Sequence, residues 1–286
     1  MRFAFLVPPD GYKAEWRWAF EPQADAVRAT GATVDPVPWD SDADFRGYDL
    51  VLPLVAWGYH QRYGDWLAVL QRLERERVRV ANPVPVLRWN CDKAYLAELG
   101  DKGVSTVPSL AFASFGEAAL TSAREHFACT ELVVKPTVSA SSYGTFRLGI
   151  GDEFPEQVRG WRMLVQPWLE NIVDSGEWSL LFFARAFSHC VSKVPTPGEF
   201  RVQPEYGGII ARSEPPAGAV ELAKAALAAA PGETTYARVD IVVGNNGDLQ
   251  IMELELIEPA LFLDDAPEAA AKFAAAVLSA AERAGE

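Results

Sequence analysis

The stretch that most constrains the fold lies near the carboxyl end, where Arg238-Val239-Asp240-Ile241-Val242-Val243 and Leu249-Gln250-Ile251-Met252-Glu253-Leu254-Glu255 flank a turn at Gly244-Asn245-Asn246-Gly247. Two β-rich runs joined by Gly and Asn read as an antiparallel hairpin. Side chains alternate between the faces of a strand, so Glu253 and Glu255 share a face, and Ile251, Met252, Leu254 and Leu256 supply apolar surroundings. If Asp240 points the same way, three carboxylates converge beside a core. Anions so placed are costly unless a cation or hydrogen-bond donors compensate. Oxygen-only ligands suit a hard cation, Mg²⁺ or Mn²⁺, usually held together with substrate phosphates. A solvent-facing hairpin edge carrying acids fits the same pattern, and the hairpin alone does not choose between the two.

With 286 residues the chain can bury a substantial core and divide into two or three lobes. It contains no apolar run of the ~18 residues that a spanning helix needs, so no membrane association is expected. Met1 to Val7 is too short for a signal peptide, ends at Pro8-Pro9 and reads as a first buried strand. The three cysteines, Cys91, Cys129 and Cys190, have no metal-like spacing, and a reducing cytoplasm is expected. A net charge of -13 opposes nucleic-acid binding, which needs a basic surface. Any anionic ligand must be held by a few local Lys and Arg side chains.

The first stretch alternates strand-like and helix-like segments: Phe3–Val7, Trp16–Thr30, Thr33–Val37, Tyr48–Leu54, Tyr63–Arg75 and Arg77–Val80, ending at Asn82-Pro83. This order predicts a small parallel sheet with helices on both faces. The glycine fingerprint of a dinucleotide site is missing after the first strand, which opposes an NAD-linked dehydrogenase. Ligands of such sheets sit at the carboxyl ends of the strands, which puts Pro8–Tyr12 and Trp57-Gly58-Tyr59-His60 at a candidate substrate rim.

Next, Asn90 reads as the N-cap of a helix running to Leu99, so that Lys93 falls in its first turn, where the helix dipole disfavours a cation. An anion bound alongside would resolve that conflict, as would simple solvation of the lysine. Leu132-Val133-Val134-Lys135-Pro136 is a strand ending on a lysine, followed by Ser139-Ala140-Ser141-Ser142-Tyr143-Gly144-Thr145, whose small residues let backbone N–H groups wrap a phosphate. Met163 to Glu170 reads as a strand interrupted at Pro167, an ordinary edge strand or a place where freed backbone groups pair with a planar base. Gly176–Phe183 and Ala186–Lys193 flank a turn at Ala184-Arg185, and the loop Pro197–Gly208 carries Arg201, whose planar guanidinium suits phosphate oxygens. Ala-rich helices over 217–230 and 266–284 are expected to cover the hairpin's sheet, and His126 and His189 read as structural.

Taken in order, Asn90-x-x-Lys93, Val134-Lys135-Pro136, Val165-Gln166-Pro167-Trp168-Leu169, Gly176-Glu177-x-Ser179, Gly198-Glu199-Phe200-Arg201, Arg238-Val239-Asp240 and Met252-Glu253-Leu254-Glu255 resemble the ATP-grasp superfamily, from about Asn90 to Pro259. Within it the chain is most similar to the glutathione-synthetase-type proteins and the D-cycloserine synthetase-like ligases. The resemblance implies an α/β chain with α+β ATP-binding lobes. Residues 1–88 would form a pre-ATP-grasp, Rossmann-like domain, 89–185 the linker helix and lid subdomain, and 186–286 the subdomain with the metal site. It implies that Lys93 and Lys135 contact nucleotide phosphates, that Ser139 to Thr145, with Ser141, Ser142 and Gly144, close over them, and that Gln166 and the backbone of Pro167, Trp168 and Leu169 take the adenine edge. Glu177 would hold the ribose, Asp240, Glu253 and Glu255 would carry Mg²⁺ or Mn²⁺, and Arg201 and Arg238 would sit at the γ-phosphate.

Two positions depart from the family pattern: Glu255 stands where Asn is common, and the lid has a single glycine. The expected reaction joins a carboxylate to a nitrogen nucleophile through an acyl phosphate on a small amino-acid-like metabolite, with a cycloserine-type cyclisation as the specific case. A non-catalytic ATP-binding or scaffolding protein is the alternative, disfavoured because all the acids and both arginines are kept. Self-association stays open.

Overall fold

The fold was obtained as a computed structural model, in which residues 1–202 and 206–283 are described; residues 203–205 of the loop expected over 197–208, and Ala284 of the last helix, lie outside them. Strand β1 (Arg2–Val7) has five successive apolar residues, all buried, as the middle strand of a parallel sheet requires. Then come α1 (Arg17–Arg28), β2 (Thr33–Pro38), β3 (Leu50–Leu52) and α2 (Tyr63–Arg75). The sheet order is β2-β1-β3, all parallel. Phe3 and Phe5 face α1, where Phe5 meets Phe20 edge-on, while Ala4 and Leu6 face Trp66 and Leu70 of α2. The expected fourth strand, Arg77–Val80, is reduced to a single bridge, Val51 to Val80. The chain is drawn away at once, because the Asn82 amide donates to the carbonyls of Tyr236 and Leu256 and accepts from Thr235 N–H.

The helix expected over 90–99 is two short ones, α3 (Val84–Asn90) and α4 (Tyr95–Asp101). Asn90 is therefore the last residue of a helix and caps nothing. Its side chain is diverted to the hairpin, donating to Leu254 O at 2.9 Å and accepting from Leu256 N–H at 2.9 Å. Lys93 sits in the non-helical link between α3 and α4, its N–H bonded to Thr137 O, so the expected conflict with a helix dipole does not arise.

Strands β4 (Leu110–Phe112), β5 (Leu132–Pro136), β6 (Phe146–Leu148) and β7 (Met163–Pro167) form an antiparallel sheet in the order β4-β7-β5-β6. Helix α5 (Glu117–Phe127), between β4 and β5, packs Leu120 and Ala123 on it. Pro167 does not interrupt β7, which is an interior strand with Pro167 as its final residue, where a missing N–H costs least.

After α6 (Ile172–Ser175), strands β8 (Glu177–Phe183), β9 (Ala186–Val194), β10 (Ile209–Ser213), β11 (Tyr236–Val243) and β12 (Leu249–Glu255) build the second antiparallel sheet, in the order β10-β9-β8-β11-β12. Gly176 starts β8 at a φ of +66°, and a Cβ there would lie 2.2 Å from Lys193 O, so only glycine lets β8 close on β9. A division at 185/186 would cut between β8 and β9, which pair along their length within this one sheet. Helix α7 (Ala219–Ala229) covers the hairpin as expected. Helix α8 (Ala269–Arg283) packs on β8 and β9 of the same sheet and also on α1, placing Phe273 and Val277 in one core with Phe5, Phe20 and Phe183, so it ties the first sheet to the last. Among the described residues no helix is long and apolar enough to cross a membrane.

Candidate active site

Strand register assembles the site. Asp240 lies opposite Glu253 and Arg238 opposite Glu255 on the β11–β12 pair. On the other side of β11, Asp240 faces Ser179, and across β8 Glu177 faces Lys193. Directly opposed residues in an antiparallel pair share a face. A row of charged groups therefore crosses four strands on one side of the sheet, while Val239, Ile241, Ile251 and Leu254 pack into the core on the other.

Nearly every charge in the row is compensated locally. Lys193 Nζ is 2.6 Å from Glu177 and 3.5 Å from Asp240. Arg238 forks onto Asp240 at 2.9 and 3.0 Å and also contacts Glu255. Ser179 Oγ donates to Asp240, and Lys93 Nζ lies 2.7 Å from Glu253 and donates to Ser139 O at 2.8 Å. Burial would raise the Asp240 and Glu253 carboxyls, but the facing Arg238 and Lys193, and Lys93 and Lys135, outweigh it, so both stay ionised well below neutrality. Glu255 is different. Burial, with Asp240 and Glu253 adding repulsion, lifts it to about 7 despite Arg238.

Lys135 is buried, and among the described residues its ammonium has no carboxylate partner, only Met252 Sδ at 3.9 Å. Burial pulls its pKa down, with Lys93 adding to the fall, and the charges of Glu253, Glu177 and Asp240 do not fully counter it. A buried cation without a counter-ion is costly, and an anion beside it would offset that cost.

These groups line one cavity of about 520 Å³. Lys93, Lys135, Ser141, Ser142, Thr145, Gln166, Pro167, Trp168, Leu169, Glu177, Arg201, Arg238, Asp240, Glu253 and Glu255 all face it, with Tyr12, Trp57, Tyr59 and His60 of the expected rim. Gly144 does not reach the wall; at a φ of +66° its missing Cβ spares a 2.9 Å clash with Pro136, so it shapes the loop. Ser141 and Ser142 also hold left-handed conformations, and the loop tip is set by Tyr143, stacked near Trp161 and 5.6 Å from the His60 ring.

An apolar cluster of Val107, Val133, Trp168, Leu169, Ile172 and Met252 forms another part of the cavity lining. There the Trp168 N–H and carbonyl are already bonded to Glu131 and Asn245, and Gln166 Nε2 donates to Ser109 Oγ. Leu169 N–H is the backbone donor of this segment without an acceptor among the described residues. Arg201 is held by Glu199 at 2.5 Å with its guanidinium 3.6 Å above the Tyr206 ring.

Asp240, Glu253 and Glu255 are the donor chemistry a hard divalent ion takes, and Glu255, raised first by burial and then by its acidic neighbours, is where added positive charge would help most. Yet no three acidic, His or Cys side chains among the described residues already surround a common point. An ion would replace part of the Lys93 and Arg238 pairing.

Residues 12–82 match the family model described as the D-cycloserine synthetase DcsG N-terminal domain. The cycloserine biosynthesis protein DcsG of Streptomyces lavendulae is 30% identical over 285 residues, covering 90% of this chain and 91% of that protein. The chain belongs to the D-cycloserine synthetase family of ATP-grasp ligases. The crystal structure of D-cycloserine synthetase DcsG superposes on this ligase with a TM-score of 0.87 over 99% of each chain, at 26% identity. D-alanine–D-alanine ligase from Bacillus anthracis shares the fold, with a TM-score of 0.73 over 99% of this chain and 98% of that one, at 17% identity. This protein is thus an ATP-dependent ligase that forms a C–N bond, with the α/β ATP-grasp fold expected from its motifs.

Among the cavity residues that escaped the sequence reading are Lys193 and Glu258. Lys193 holds Glu177 and Asp240 together; counting outward from the Ala184-Arg185 turn brings it near Glu177, and the irregularity at Leu181/Phe182 sets the pairing. Glu258 also lines the wall. Lying beyond the end of β12, it has no strand periodicity to reveal it.

Proposed function

We propose that the ligase uses Mg²⁺-ATP to activate the carboxylate of a small amino-acid derivative and closes it onto a nitrogen of the same molecule, a cycloserine-type cyclisation. The observation that carries this reading is the buried ammonium of Lys135, lacking an acidic partner, in the same cavity as the Asp240, Glu253 and Glu255 acids. Lys135 and Lys93 would take the phosphates, the apolar cluster with Leu169 N–H the adenine, and Glu177 the ribose. Asp240, Glu253 and Glu255 would hold Mg²⁺, which neutralises charge on the transferring group.

The substrate carboxylate oxygen attacks the γ-phosphorus, the bond to the β-phosphate oxygen breaks, and ADP leaves with an acyl phosphate remaining. Arg238, released from part of its pairing, and Arg201 stabilise the added negative charge. The substrate nitrogen then attacks the acyl carbon, loses a proton and expels phosphate. The Ser139–Thr145 loop excludes water, which would otherwise hydrolyse the acyl phosphate. Free Cys91 and Cys190, both buried, support a reducing cytoplasm as its setting.

The test is ADP release from Mg²⁺-ATP over a panel of amino acids that includes 3-aminooxy-D-alanine, the open-chain form of that ring. Release that depends on an amino-acid derivative, with the cyclised product seen by mass spectrometry and stopped by EDTA, is expected. Release that is indifferent to every panel member overturns the reading.

A further inference from the structure

We infer that Glu258 binds the ammonium group of the amino-acid substrate, an inference that rests on the ring-closure reading above. Among the described residues the charges lining the cavity pair off: Lys193 with Glu177 and Asp240, Arg238 with Asp240 and Glu255, and Lys93 with Glu253. Setting aside the solvent-exposed Asp264 and Asp265, two groups remain without an opposite partner, the Lys135 ammonium and the Glu258 carboxylate. A ligand complementary to this wall carries an anion at one position and a cation at another. Triphosphate answers Lys135 and leaves Glu258 unanswered.

The place of Glu258 favours an ammonium over a second metal ion. It lies beyond β12, on the segment leading to Pro259, close enough to Tyr12 and Tyr59 for its charge to raise both phenols after burial has done so. Both tyrosines come from the amino-terminal rim, so Glu258 lies within charge range of that rim as well as of Lys93, Arg238, Glu253 and Glu255. His60 lines the same cavity, and its Nδ1 is buried with no hydrogen-bond partner among the described residues, while burial, then Lys93, keep the ring neutral with a pKa of about 4.

One carboxylate with a neutral imidazole nitrogen and phenol oxygens offers several acceptors to the three N–H donors of a primary ammonium. A hard divalent ion would instead be drawn to the three acids of the hairpin. Burial, and then repulsion from Glu255, lift Glu258 to about 8, the response of a carboxylate that lacks its counter-ion.

The experiment compares D-cycloserine with isoxazolidin-3-one, the same ring without its amine, as ligands of the full-length enzyme in Mg²⁺ and a non-hydrolysable ATP analogue. Intrinsic tryptophan fluorescence reports binding, because Trp18, Trp57 and Trp168 line the cavity. The wild type is expected to prefer D-cycloserine tenfold or more. E258Q, which keeps the shape and removes the charge, should bring the two rings within about threefold while leaving the affinity for the ATP analogue unchanged.

Equal affinities in the wild type, or an undiminished preference in E258Q, overturn the assignment of Glu258 alone. A preference kept in E258Q together with a tenfold higher Mg²⁺ requirement overturns it in favour of a metal ligand. Binding of neither ring overturns this inference and the cyclisation reading together.

Discussion

Strands β1 and β12 are built by the same backbone physics and filled in opposite ways. Phe3 to Val7 of β1 is apolar on both faces, and its side chains divide between α1 with α8 on one side and α2 on the other. On β12, Ile251 and Leu254 enter the core while Glu253 and Glu255 face a cavity, each against a basic group. Loss of a β1 side chain leaves a void that the fold must absorb. Loss of a β12 acid leaves the fold's apolar contacts alone and removes a charged group from the cavity wall. The first region holds the protein together, and the second is tolerated by it because lysines and arginines arrive from other strands and loops.

The largest expected effect is on the acid side of that contrast. Glu253→Gln should lower kcat by about 10³-fold or more, since phosphoryl transfer relies on charge neutralisation, with the far-UV circular dichroism preserved; an unfolded variant would mean that the acids are structural after all. Next comes Phe5→Ala, which should cost about 3–4 kcal/mol of stability by chemical denaturation and leave the KM for ATP nearly unchanged. A large change in KM without loss of stability would erase the distinction between the regions.

Lys135→Ala should weaken ATP binding by about 10- to 100-fold, the loss of one buried charge-assisted contact, and calorimetry showing full affinity would remove the lysine from the phosphate site. The smallest effect is on pH. Glu255 and Glu258, held near 7 and 8, bind protons in the folded enzyme at pH values where the unfolded chain has lost them. Their contribution is complete below the usual Glu pKa and is lost as pH rises through 7 to 8, so the ligand-free enzyme should lose on the order of 2 kcal/mol between pH 6.5 and 8.5. Differential scanning calorimetry should show a falling Tm over that range. The slope should flatten in E258Q; a slope that persists there would sharpen the role of Glu255.

The hairpin was legible because two local signals agree, a Gly/Asn turn and an acid at every second position, and register then forces Asp240 onto the face of Glu253. The segment around Asn90 was misread for the reason that hairpin exists: its amide has a better use, on the exposed N–H and carbonyl of Leu256 and Leu254, than as a cap. Arg77–Val80 fell short of a strand because Asn82 is claimed by the distant backbone of Thr235, Tyr236 and Leu256. Helix α8 meets β8 and β9 of the hairpin's sheet as expected but also packs on α1, because an Ala-rich amphipathic stripe says that a face is buried and not against everything it will touch.

What the sequence determined by itself were the short-range facts: which runs are strands, which faces carry acids, where a lysine stands near the end of a strand, and the order of motifs that marks an ATP-grasp ligase. The tertiary structure alone decided which charges meet, since the Lys193–Asp240 and Lys93–Glu253 pairs join residues 47 and 160 positions apart. It also decided which stay unanswered, Lys135 and Glu258. Periodicity is set by the backbone within a few residues, whereas neutralising a buried charge depends on whatever the fold brings within a few ångströms of it.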